Sequence, residues 1–65
     1  MTNCLKLKAE IIRNGFTQKE LANKLGISFQ SINMKINNKR QFKASEISKL
    51  SKILNIANVN DIFFA

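Results

Sequence analysis

Phe29, Gln30, Asn33, Met34 and Asn37 alternate at spacings of one and three residues. On a helix that pattern gathers them on one side. Their chemistry is uncharged: primary amides that pair donor with acceptor, and two apolar ends. Such amides match the edge of adenine, and such apolar groups match the thymine methyl. Around them stand Lys35, Lys39, Arg40 and Lys43, and no acid occurs between Glu20 and Glu46. A neutral face ringed by cations suits a double-stranded nucleic acid, whose phosphates are held by charge and whose bases are read by amides.

The rest of the composition narrows the choice. Eleven Lys and Arg against four Asp and Glu give a formal charge of +7, which calls for an anionic partner. The chain has no His, and its one cysteine, Cys4, has no second Cys to pair with. A disulfide framework and a cysteine zinc site within one chain are excluded, and Cys4 reads as a small apolar side chain near a helix start. Nothing pairs a nucleophile with a base, so an enzyme is not expected, nor a cofactor or a metal. No apolar run is long enough to span a bilayer, and Met1 to Lys6 lacks the apolar core of a signal peptide. No membrane partner is expected, and a lone thiol fits the cytoplasm. Lys6, Lys8, Lys49 and Lys52 read as solvated faces. The 65 residues make one domain, 1–65, of marginal stability unless a partner adds to it.

The elements that must position these groups are all helical. There is no proline and no period-two alternation. A first helix is expected over residues 3–14, with Leu5, Ala9 and Ile12 sharing one face, Leu7 and Ile11 beside them, and Gly15 as its stop. Thr17 and Glu20 form a capping box for the second helix, with Phe16 and Leu21 as its hydrophobic staple; Leu21, Ala22 and Leu25 face inward and Gly26 ends it. Ser28 caps a third helix that runs to Asn37, with Ile32 and Ile36 inside. Lys43, a poor cap, or Ser45 starts a fourth, carried by Ile47, Leu50, Ile53 and Leu54. A fifth starts near Asn58 and ends on Ile62, Phe63 and Phe64. The tight link Gly26-Ile27-Ser28 makes helices two and three cross steeply, and small Ala22 lets them approach. The expected fold is an all-α compact bundle of five short helices with a helix-turn-helix.

The stretch Thr17-Gln18-Lys19-Glu20-Leu21-Ala22-Asn23-Lys24-Leu25-Gly26-Ile27-Ser28, continued by Gln30-Ser31-Ile32-Asn33, resembles the helix-turn-helix of the lambdoid phage Cro/CI (XRE-like) repressors. The resemblance spans about Leu5 to Phe64 and is most specific over residues 17–40. It implies a lambda-repressor-like fold that reads operator DNA in the major groove. It also implies the site: Phe29, Gln30, Asn33 and Met34 facing bases; Thr17, Gln18, Ser31, Lys35, Asn37, Asn38, Lys39, Arg40 and Lys43 on phosphates. Lys35 fills a slot that is often apolar in relatives, so Ile36 is expected to pack in its stead while Lys35 snorkels toward a phosphate. Relatives of the CI kind carry a second domain for which 65 residues leave no room, which points to the Cro-like side or, equally, to the DNA-binding half of a longer repressor. The expected partners are pseudo-palindromic double-stranded DNA and a second copy of the chain, in a bacterial host's cytoplasm beside the nucleoid. The alternative is a protein-interaction module, an antirepressor or modulator that sets Phe29 and Met34 against a partner repressor protein.

Overall fold

The computed structural model describes residues 1–64. They form α1 (Cys4–Arg13), α2 (Gln18–Leu25), α3 (Phe29–Ile36), α4 (Ala44–Ile53) and α5 (Val59–Phe63), with no strand among the described residues. No helix is long and apolar enough to cross a membrane.

Four of the five helices, all but α4, start where a side chain accepts an orphan amide. The Asn3 side chain accepts from the Lys6 N–H, and Ser28 Oγ from the Ser31 N–H. At α2 the capping box is complete: Thr17 Oγ1 accepts the Glu20 N–H at 3.1 Å, and a Glu20 carboxylate oxygen accepts the Thr17 N–H at 2.9 Å. At α4 the cap position falls on Lys43, whose side chain has no acceptor atom. Only the returning half of the box exists there, with Glu46 Oε1 accepting the Lys43 N–H at 2.8 Å.

The helix ends follow one rule. After α1, α2, α3 and α4 a residue with positive φ turns the chain: Gly15, Gly26, Asn38 and Asn55. Each time, the next amide reaches back five residues, as in Ile27 N–H to the Ala22 carbonyl at 3.0 Å and Lys39 N–H to the Met34 carbonyl at 2.7 Å. These are Schellman ends, which need a left-handed residue and so select Gly or Asn.

The core collects Leu7, Ile11, Leu21, Ala22, Leu25, Ile32, Ile36, Leu50, Leu54, Ile62 and Phe63. Ile27, in the turn between α2 and α3, packs against it, as do Phe16 and Phe42; the Phe42 ring meets Phe63 edge-on. In α1 the inward face is Leu7 and Ile11, whereas Leu5 and Ile12 are 80% and 77% exposed. The expected Leu5-Ala9-Ile12 face points to solvent instead. Five apolar residues wrap most of that short helix, and the stripe opposite Leu7 and Ile11 is the one left out.

Candidate nucleic-acid interface

On α3, Ile32, Lys35 and Ile36 are buried, and the opposite side carries Gln30 and Met34. Gln30 is exposed, Met34 half-buried and Phe29 54% exposed. Phe29 therefore stays outside the core. One edge of α3, made of Asn33 and Asn37, is knitted to the neighbouring helices. Asn33 Nδ2 donates to Gln18 Oε1 at 3.1 Å, which joins the recognition-type helix to the first residue of α2. Asn37 Nδ2 donates to the Asn33 carbonyl at 2.8 Å, and Asn37 Oδ1 accepts from Lys8 Nζ at 3.1 Å. Gln18, Asn33 and Asn37 are thus brought together, and their amides are held in place before any ligand arrives. The exposed Thr17 caps the same end of α2, and half-buried Ser31 lies in the first turn of α3 with its amide donating to Ser28.

The loop after α3 carries exposed Lys39, Arg40 and Lys43. Its entry is fixed by the Lys39 and Arg40 amides, which both donate to the Met34 carbonyl. Its exit is fixed by Glu46 through the Lys43 amide.

Besides Gln18 and Asn37, Lys35 and Asn38 are expected phosphate contacts that have partners within the fold. Lys35 is only 6% exposed, and its Nζ donates to both Glu46 oxygens, at 2.7 and 2.6 Å. The slot between Ile32 and Ile36 faces inward, and a buried ammonium needs a counter-charge more than a route to solvent. Burial pushes the Glu46 carboxyl up, but hydrogen bonds from Lys35 and the Lys43 amide, and both positive charges, hold it below the usual glutamate value. Asn38 is the second case. Its Oδ1 accepts the Thr2 N–H at 3.0 Å and its Nδ2 donates to the Thr2 carbonyl at 2.8 Å, so its side chain clamps the chain's start.

The sequence reasoning missed Glu46 and Lys8. A signal for Glu46 was present: a lysine in an apolar slot wants an acid, and beyond Lys35 only Glu46 and Asp61 exist. Lys8 carried no such signal, because α1 offers two lysines, Lys6 and Lys8, and the one that meets α3 is decided by packing. Among the described residues only Arg13 and Lys35 meet a carboxylate, at Glu10 and Glu46. The cations bordering α3 therefore form no ion pair with a carboxylate among the described residues.

Two capped short helices joined by Gly26-Ile27-Ser28, the second with an uncharged outer side bordered by cations, define a helix-turn-helix domain. A family model described as helix-turn-helix matches residues 7–57, and the chain belongs to that family, one of DNA-binding regulators. No curated protein and no solved structure matches the chain.

Proposed function

We propose that the chain is a sequence-specific transcriptional regulator of the phage Cro/CI type that lays α3 in the major groove of operator DNA. The observation that carries this reading is the union of an uncharged face on α3 with cations that form no ion pair among the described residues. Gln30 is exposed and Met34 half-buried on that side, while Lys39, Arg40 and Lys43 border them with no ion pair to a carboxylate among the described residues. The amides read base edges and the cations take phosphates. One such helix covers only a few base pairs, so two copies, about 34 Å apart on one face of the duplex, read a pseudo-palindrome. The setting is the cytoplasm of a bacterial host, at the nucleoid. Selection of duplexes from a random pool by the purified chain tests this. Enrichment of two inverted half-sites about one helical turn apart is the expected result, and recovery of unenriched sequence sinks it.

Phe29 supports a second reading. A phenylalanine 54% exposed on a small domain is also an anchor for a partner repressor protein. If the pool yields nothing while Phe29→Ala abolishes binding to a repressor, the chain is a modulator.

A further inference from the structure

We propose that Lys8 belongs to the DNA interface and supplies a phosphate contact at the carboxyl end of α3, an inference that rests on the reading of α3 as the recognition helix. Lys8 and Lys6 lie on the same helix, yet Lys6 is exposed while Lys8 is half-buried. The Lys8 stem lines a cleft with Ile11, Ile12, Phe16, Thr17 and Gln18. Packing of an alkyl stem along apolar surface fixes where its charged head emerges. Here the head emerges 3.1 Å from Asn37 Oδ1, at the C-cap of α3. The helix dipole is negative at that end and favours a cation there.

Three facts make this ammonium a contact and not only a strut. It uses one of its three N–H donors on Asn37. No carboxylate pairs with it among the described residues. It also stands on the same edge of α3 as Gln18 and Asn33, on the other side of the helix from the Lys35–Glu46 pair. Lys39 and Arg40 approach the duplex from the loop. Lys8 approaches from α1, so the backbone is gripped on both flanks of the helix end. Because Asn37 has its oxygen on Lys8 and an N–H on the Asn33 carbonyl, much of the polar capacity at this corner lies with Lys8.

The test is a titration of Lys8→Met and Lys8→Arg on the selected operator and on a short duplex of scrambled sequence, at several salt concentrations, with thermal melting as the folding control. Met keeps the stem and removes the charge. The expected result is weaker binding of Lys8→Met to both duplexes. Its loss of affinity between about 50 and 200 mM salt should be about threefold smaller than the wild type's, the share of one phosphate contact. Lys8→Arg should keep the wild-type salt slope. Unchanged binding by a folded Lys8→Met overturns the proposal, and so does a loss confined to the operator with an unchanged slope, which would make Lys8 a support for Asn37 alone. If the wild type binds neither duplex in a salt-dependent way, the DNA reading falls and this contact with it.

Discussion

Lys35 and Glu46 form a buried ion pair, with Nζ 2.6 Å from Oε2, that ties the last turn of α3 to the first turn of α4. Glu46 also accepts the Lys43 amide, so one carboxylate fixes both α3 and the exit of the loop that carries the cations. Breaking such a pair from one side leaves a buried charge without a partner, at a cost of about 3–5 kcal/mol. Lys35→Met should therefore destabilise the domain strongly. The double change Lys35→Met with Glu46→Gln should recover most of the loss, because the Gln oxygen can still accept from Lys43. Urea denaturation of the three proteins measures this; a double variant no better than Lys35→Met would disprove the coupling.

The same pair sets a dependence on pH. The Glu46 carboxyl is held below the usual glutamate value in the folded chain. A depressed folded pKa contributes stability above the unfolded pKa, and that contribution is lost as pH falls through the folded one. The wild type should lose its advantage over the double variant in that acid window and keep it at neutral pH. Denaturation midpoints of the two proteins followed from neutral to acid pH give the comparison, and parallel curves would contradict it.

Gly26 has φ +71°, and a Cβ built there meets nothing within 4 Å. Substitution at this turn is therefore costly for its backbone and not for crowding. Gly26→Ala should cost about 1 kcal/mol, a β-branched Gly26→Val more, and Gly26→Asn least, since asparagine visits the left-handed region most readily. The chain itself uses that allowance at Asn38 and Asn55, with φ of 61° and 57°. Melting temperatures in the order Gly, Asn, Ala, Val from highest to lowest are expected. A valine variant that melts with the wild type would remove the turn from the list of constraints.

Helix punctuation was legible because it is local: Thr17 with Glu20, Ser28, Gly15 and Gly26 each act through neighbours in sequence. The phase of α1 was not. Leu5, Leu7, Ala9, Ile11 and Ile12 allow two inward faces, and only the presence of α3 and α5 selects Leu7 and Ile11. The outward side of α3 could be read because Ile32 and Ile36 fix its opposite. The partners of Asn38 and Lys8 could not, since those bonds join residues 36 and 29 positions apart.

Asn38 does two tasks at once: its backbone ends α3 with positive φ, and its side chain holds Thr2 through two hydrogen bonds. These separate by substitution. Asn38→Gly keeps the backbone freedom and loses the clamp, whereas Asn38→Ala loses both. Hydrogen exchange at the Thr2 amide should accelerate in both variants, and Asn38→Ala should be less stable than Asn38→Gly by about 1 kcal/mol. Unaltered exchange at Thr2 would show that the clamp contributes nothing in solution.

The division between reading and holding is the last expectation. Gln30 is exposed on the second residue of α3, and its amide makes no side-chain hydrogen bond among the described residues. It is free to take the paired donor and acceptor of adenine, a match that discriminates by about 1–3 kcal/mol. Arg40 is exposed beyond the helix, on a loop whose amides are already fixed to Met34, and a guanidinium there meets phosphate without regard to sequence. Gln30→Ala should therefore relax preference at one base position and leave binding to scrambled duplex nearly intact. Arg40→Ala should weaken both duplexes and lower the salt slope by about one. Affinity titrations at several salt concentrations on operator and scrambled DNA separate the two roles. Equal weakening of both duplexes by Gln30→Ala, or no change with Arg40→Ala, would mean that the base-reading and phosphate-holding roles are assigned to the wrong side chains.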